Sequence, residues 1–239
     1  MANYRIRNIN QLKEILIPIF DKHLLLTSKY YSFYKFKKCL NILDYTLLTN
    51  EEKNHLIENI LIITKDINYI SPFWLETKKD LINKSFEEIT QIITNINDIK
   101  SIIPKPWVIG FIEAEGSFFI TKKDENRLVH CFGISQKLDP IVLLSLKYLF
   151  HIPTKVKYKY KHNYYLLETS NSRSIENIIK YFLGPHNTHT NMKGSKGLEF
   201  RIWARTYFKH KGNYEKLLKT KELINRIRNK NKIEGIVRT

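Results

Sequence analysis

Hydrophobic positions in the first 44 residues recur at helical spacing. Leu12, Ile15, Leu16 and Ile19 form one stripe, a break follows near residues 23–28, and Tyr31, Phe33, Tyr34, Phe36 and Leu40 form a second. Apolar side chains three and four apart share one face of an α-helix, so residues 11–44 predict two helices. Thr49-Asn50-Glu51-Glu52 opens another periodic run through Leu56, Ile60 and Ile63. Thr49 and Glu52 have the spacing of a capping box, each side chain bonding the other residue's backbone N–H. Residues 85–99 predict a further helix. Pro104 and Pro106 end this part, because proline disfavours helix in the residue before it but suits a helix's first turn. A new helix is expected from about Trp107.

After Gly116 the period changes to two, the repeat of strands. Residues 117–121 and 128–136 read as a hairpin around the polar turn 122–127. Asp139-Pro140 opens a helix expected over 140–150. Residues 155–160 alternate Lys-Val-Lys-Tyr-Lys-Tyr, and 164–169 follow a His-Asn turn, giving a second hairpin. Residues 174–182 predict a helix, and a long helical region runs from about Gly197 to Asn229. From Trp107 the order is αββαββα followed by more helix. That segregation implies an α+β fold, an antiparallel sheet backed by helices, with a helical N-terminal region. All eight glycines lie at or after Gly110, which marks the same division.

The run Trp-Val-Ile-Gly-Phe-Ile-Glu-Ala-Glu-Gly-Ser-Phe-Phe at 107–119 carries the chemistry. It is an apolar helix ending in Glu113 and Glu115. The last turn of a helix already bears unpaired carbonyls and the negative end of the macrodipole, so acids there are disfavoured without a cation opposite. Gly116 is expected as a left-handed C-cap, with Glu115 aimed outward. Gly110 and Ala114, four apart, share a small-residue face that permits close helix packing, expected against a helix of this chain, with a second chain left open as the alternative.

Charge bounds what those acids act on. Lys plus Arg number 40 against 23 Asp plus Glu, for a net charge of +17. Residues 201–239 alone hold twelve basic and three acidic side chains. Such a surplus attracts polyanions, nucleic acid first. Two cysteines make no disulfide framework, no stretch approaches the ~20 apolar residues of a membrane span, and no glycine-rich nucleotide loop is present. Abundant Ile, Lys, Asn and Tyr with scarce Ala point to an AT-rich, organellar coding genome. His186 and His189 lack further ligands at zinc spacing and read as a polar loop. Lysines 155, 157, 159 and 161 line one ribbon, read either as a solvated strand face or as a ribbon suited to the major groove, which is ~12 Å wide. Arg173 and Arg201 read as phosphate contacts. Tyr158, Tyr160, Tyr164, Trp203 and Tyr207 read mainly as packing residues, with stacking on unpaired RNA bases as the alternative.

One internal echo stands out. Ser28-Lys29-x-x-x-Phe33-x-x-Phe36 parallels Ser195-Lys196-x-x-x-Phe200-x-x-Trp203, which suggests that residues 1–44 are the tail of an earlier copy of the later unit.

Residues 108–116, Val-Ile-Gly-Phe-Ile-Glu-Ala-Glu-Gly, resemble the LAGLIDADG motif of homing endonucleases and intron maturases. The likeness extends through Gly133-Ile134-Ser135-Gln136-Lys137, Asn171-Ser172-Arg173 and residues 192–203, and residues 12–40 look like the end of a first repeat. The resemblance implies a remnant of a first repeat over 1–44, a helical connecting region over 45–104, and a complete repeat with a basic C-terminal helix over 105–239. It also implies a sheet that saddles DNA and two motif helices packed at a pseudo-dyad. One acid from each helix would reach the scissile phosphates around divalent metal, with magnesium expected. By motif position Glu115 is the metal-binding acid and Glu113 the structural one. Gln136 would hold water near the metal, and Lys193, with Lys196 as the alternative, would stand by the scissile phosphate. No second acidic motif occurs in the chain, so one copy supplies half a site. Two readings stay open: a site-specific DNA endonuclease completed by dimerisation through the motif helix or by a further segment, and a maturase binding group I intron RNA. A mitochondrial, intron-encoded origin is expected, with no membrane partner.

Overall fold

The computed structural model describes the backbone of residues 5–23, 25–66, 69–183 and 190–237, with side chains through 229 apart from two helical positions, 77 and 98. The chain divides into two compact units, Asn3–Ile92 and Ile93–Thr239.

The regular structure of the first unit is helical, with no strand among its described residues. Helix α1 (Ile9–Gln11) passes through a wide π-helical turn (Leu12–Leu16) into α2 (Ile17–Lys22). Pro18 stands just after that turn and has no N–H to give Glu14's carbonyl, the ordinary cause of such a widening. Helix α3 (Lys29–Leu43) packs Phe33 and Leu40 with Ile17 of α2, and Phe20 and the helix's own Tyr30 close around them. The capping box of α4 (Asn50–Ile62) forms as expected, with the Glu52 N–H on Thr49 Oγ1 at 3.3 Å and the Thr49 N–H on Glu52 Oε2 at 2.8 Å. Its far end is tied to α3, since Tyr31 and Lys35 donate to the Ile63 carbonyl at 3.0 and 2.8 Å. Helix α5 (Pro72–Thr77) buries Trp74 fully, and the indole N–H reaches the Leu26 carbonyl at 2.8 Å. Helix α6 (Phe86–Ile92) closes the unit. Residues 45–92 group with 5–44 in one compact unit, and 93–104 group with the later one.

The second unit follows the expected order. The single helix expected over 85–99 is two: α6 stops at Ile92, and Asn95 caps α7 (Ile96–Ile102) by accepting the Asn97 N–H at 2.9 Å. Helix α8 (Lys105–Glu115) leads into β1 (Gly116–Asp124), β2 (Arg127–Gln136), α9 (Pro140–Leu149), β3 (Lys157–Lys159), β4 (Tyr164–Thr169), α10 (Ser172–Phe182), α11 (Ser195–His210) and α12 (Tyr214–Val237). The last helical region is thus broken, at Gly212 with φ +84°, a conformation that glycine adopts without steric cost. The sheet is antiparallel in the order β1-β2-β4-β3.

Alternation gives the sheet two unlike faces. Phe118, Ile120, Phe132, Ile134 and Leu167 are buried beneath α9, α10 and α11, which pack on this side. Phe118 meets Phe182, Phe200 and Trp203 at ring distances of 6.3, 5.0 and 5.2 Å. Ser117, Phe119, Thr121, Val129, Cys131, Gly133, Leu166 and Glu168 lie on the other face by register. Helix α12 packs along edge strand β1, with Leu217 and Ile224 buried one heptad apart. The Trp203 indole donates to the Phe119 carbonyl at 3.0 Å and Arg228 Nη2 to the Phe118 carbonyl at 2.8 Å. An edge that invites strand pairing is thereby covered.

Candidate nucleic-acid interface and the acid-tipped helix

Helix α8 is held by Val108 and Ile112, both fully buried, and passes into β1 without a loop. Gly116 is not left-handed: its φ of −73° and ψ of 155° are ordinary extended values. Glycine is needed there for another reason. A Cβ would lie 2.7 Å from both the carbonyl oxygen and Cγ2 of Ile112, so only a bare Cα lets helix and strand join this closely.

The two acids have different fates. Glu113 is half-buried and accepts the backbone N–H of Lys193 at 3.3 Å and that of Gly194. Gly194 is the N-cap of α11 and supplies no side-chain cap. Glu113 thus fills the open donors at that helix's start, which favours its negative charge and offsets its poor place at the end of α8. A Cβ on Gly194 would sit 2.8 Å from Glu113 Oε1 and would push the carboxylate off these donors. Glu115 is exposed, with no hydrogen-bond or ion-pair partner among the described residues.

Gly116 pairs with Ile134, which places Gln136 two residues past the start of β1, at the sheet end where α8 finishes. Lys193 is brought to the same end through Glu113, with its side chain exposed. Lys196 lies in a neighbouring cleft of about 650 Å³ with Ser117, Ser195, Asn225, Arg228 and Asn229. Arg228 is fixed by buried Glu199, 2.8 Å from Nε. This lock joins residues 29 apart in sequence, and no motif announces it.

The open sheet face carries a hollow of about 430 Å³ bordered by Lys122, Lys123, Lys155, Lys157 and Lys159, with Cys131, Leu166 and Glu168 on its floor. Burial pushes the Cys131 thiol up to about 12, with the Glu168 charge adding to it, so the thiol stays protonated and unreactive. The four-lysine row does not hold as one strand face. Strand β3 spans only Lys157–Lys159, and Lys161 falls in a 3₁₀ turn (Tyr160–His162). Arg173 is exposed on the first turn of α10. Arg201 is exposed on the outer side of α11, in a groove of about 510 Å³ with Leu198, Arg205 and Phe208, whereas the opposite side buries Phe200, Trp203 and Tyr207. It therefore stands away from the sheet face. Trp203 and Tyr207 are core residues, and Tyr160 is 85% exposed. His186 and His189 lie outside the described residues.

Gly110 and Ala114 are exposed, and a Cβ built on Gly110 meets no atom within 4 Å.

The chain matches the profile of the LAGLIDADG endonuclease family over residues 1–40 and 108–207. It belongs to that family. It is 35% identical over 232 residues to the probable intron-encoded endonuclease Cox1-I1b of Schizosaccharomyces pombe, covering 95% of this chain and 52% of the relative. The probable intron-encoded endonuclease aI3 of Kluyveromyces lactis is 31% identical over 215 residues, covering 85% and 50%. The chain thus spans about half the length of the curated relatives it matches. Its fold is also that of the LAGLIDADG homing endonuclease I-GzeII in complex with its DNA target, with a TM-score of 0.63, 25% identity, and coverage of 92% of this chain and 75% of that one. I-SmaMI bound to cleaved DNA gives a TM-score of 0.65 at 22% identity, covering 95% and 74%.

In this family the acid at the position of Glu115 implies divalent metal. Among the described residues no group of three or more His, Cys, Asp or Glu gathers. The donors on offer are one free carboxylate, Glu115, and the Gln136 amide. That set fits a hard divalent cation that keeps several waters and takes few protein oxygens.

Proposed function

We propose that this chain binds duplex DNA on its open sheet face and contributes one half of a magnesium-dependent endonuclease site, with Glu115 as the metal-binding acid. The observation that carries this reading is Glu115 itself: exposed, unpartnered, at the end of a helix whose Gly110–Ala114 face is bare, beside a lysine-bordered sheet. A bound cation would supply Lewis-acid activation of water and neutralise charge at the scissile phosphate. The chain's own residues do the rest. Lys155, Lys157 and Lys159 hold phosphates, Gln136 orients water, and Lys193, with Lys196 behind it, faces the phosphate backbone. The bare face of α8 takes a second acid-tipped helix, either from another copy of the chain or from a further segment of a longer protein. The family match over residues 1–40, where the echo of Ser195-Lys196 lies, supports residues 1–44 as the tail of a first repeat. The relatives' names and the AT-rich residue usage support an intron-encoded, mitochondrial origin.

A second reading has its own observation. Arg201, Arg205 and Lys209 recur at one-turn spacing on the outer side of α11, with no ion pair among the described residues and with exposed Phe208 between them. That separate basic face suits group I intron RNA and a maturase role.

The test is duplex binding against salt. Glu115→Gln should keep wild-type affinity, while alanine at Lys155, Lys157 and Lys159 should flatten the log–log salt slope by about 0.9 per lost phosphate contact. An unchanged slope would remove the sheet from the interface. Intron RNA binding lost on Arg201→Ala and Arg205→Ala, with DNA binding kept, would favour the maturase.

A further inference from the structure

The lysine-bordered face holds one acid. Glu168 is exposed there and is the sole carboxylate among the described residues of that hollow. Phosphate attraction alone disfavours it, since a carboxylate repels the polyanion that the lysines attract. The usual explanation is an ion pair, yet Glu168 makes none among the described residues.

Its position is also built. Strands β2 and β4 are the two inner strands, and Glu168 on β4 pairs with Gly133 on β2. A Cβ on Gly133 would lie 3.2 Å from the Phe119 ring and 3.8 Å from Glu168 Cγ. The glycine therefore leaves room for that ring, with the glutamate stem at ordinary van der Waals distance beside it. From the other side, Thr154 Oγ1 donates to the Glu168 carbonyl at 2.6 Å. The result is a braced, unpaired acceptor in the middle of a basic saddle.

Phosphates run along the walls of a groove, and base edges form its floor. A group on the inner strands faces the floor. A carboxylate only accepts hydrogen bonds, and the major-groove donors are the N4 amine of cytosine and the N6 amine of adenine, the latter beside the acceptor N7. We infer that Glu168 is a base-reading residue that accepts from the N4 amine of a cytosine at one position of the target. This rests on the duplex-binding reading above.

The experiment equilibrates the full chain with duplexes randomised across the footprint, at fixed salt, and sequences the bound fraction. Wild type should enrich cytosine at one position about tenfold or more, the scale of one good side-chain–base contact. Glu168→Ala should lose that enrichment at that position alone, while binding the whole pool more tightly because a repelling charge is gone. Glu168→Gln should move the preference there to adenine, whose N6 and N7 match an amide. A residue that only trims surface charge would change overall affinity and no base identity. Both variants giving the wild-type profile would overturn the inference and leave duplex binding standing. A wild type that retains no duplex even at low salt would overturn duplex binding first, and the role of Glu168 with it. Exposed and nearly isosteric, Glu168→Gln keeps the fold, which circular dichroism checks.

Discussion

Neutralising the two acids of α8 should move stability in opposite directions. Glu113→Gln takes the charge from a group that accepts two backbone N–H donors at the start of α11. The amide offers one oxygen, so one of those donors then faces an NH₂ group. Hydrogen bonds to charged groups contribute about 1.5–3 kcal/mol, and the half-exposed setting of Glu113 puts the loss at the lower end, about 1.5 kcal/mol. Glu115→Gln removes an unpartnered charge from the negative end of a helix, which should gain about 0.3–1 kcal/mol. The two variants should therefore differ by about 2 kcal/mol in urea unfolding. Amide hydrogen exchange gives the local check: Lys193 and Gly194 should exchange faster in Glu113→Gln and at the wild-type rate in Glu115→Gln. Gly194→Ala, which places a Cβ against Glu113 Oε1, should reproduce the Glu113 effect and be non-additive with it. Unchanged protection of both amides in Glu113→Gln, or an equal stability loss in Glu115→Gln, would refute the division of roles.

Other predictions follow from the packing. His130 is buried between the rings of Trp203 and Tyr207, its Nε2 has no hydrogen-bond partner among the described residues, and burial lowers its pKa from 6.5 to about 4. The unfolded chain then takes up the proton first, so stability should fall by about 3 kcal/mol as pH drops from about 6.5 to about 4. His130→Phe should lose that dependence in pH-resolved unfolding. Arg228→Met strands the buried Glu199 carboxylate and should cost roughly 3 kcal/mol in urea unfolding, with α12 losing exchange protection along β1. Gly110→Ala should stabilise the isolated chain by about 0.8 kcal/mol through helix propensity, whereas Gly110→Leu should abolish any self-association seen in sedimentation.

Much of the fold was legible because its signals are local. The capping box at Thr49 and Glu52, the Pro106 helix start and the alternation over residues 128–136 each depend on neighbours a few residues apart. The acid-tipped helix was legible for the same reason, whereas the division between Glu113 and Glu115 was implied only by the resemblance, and no local signal announced the Lys193 and Gly194 amides that Glu113 accepts. What the sequence hid was set by contacts between distant segments. Gly116 is glycine because of Ile112's carbonyl rather than a left-handed turn, and nothing local separates those causes. The 85–99 pattern is apolar enough for one helix, but Ile93 is buried at the break and Asn95 restarts the chain. The echo at Lys29 held for the helix start and for buried Phe33, while Phe36 is 37% exposed where Trp203 is fully buried. The difference is physical: Trp203 has a sheet beneath it, and the first unit has no strand among its described residues. Charge alone could not place Arg201, because it carries no information about which side of a helix faces outward. Glu168 had a visible signal, since alternation from Leu166 puts it on the open face, but only the Gly133 register shows it braced.

The central claim is that one chain supplies one acid. The most direct measurement pairs sedimentation with magnesium-dependent cleavage of a duplex that the chain binds. The account predicts double-strand cleavage only from species that bring two acid-tipped helices together, with activity lost and binding kept in Glu115→Gln. Cleavage of both strands by a strict monomer, or by the Glu115→Gln variant, would contradict it.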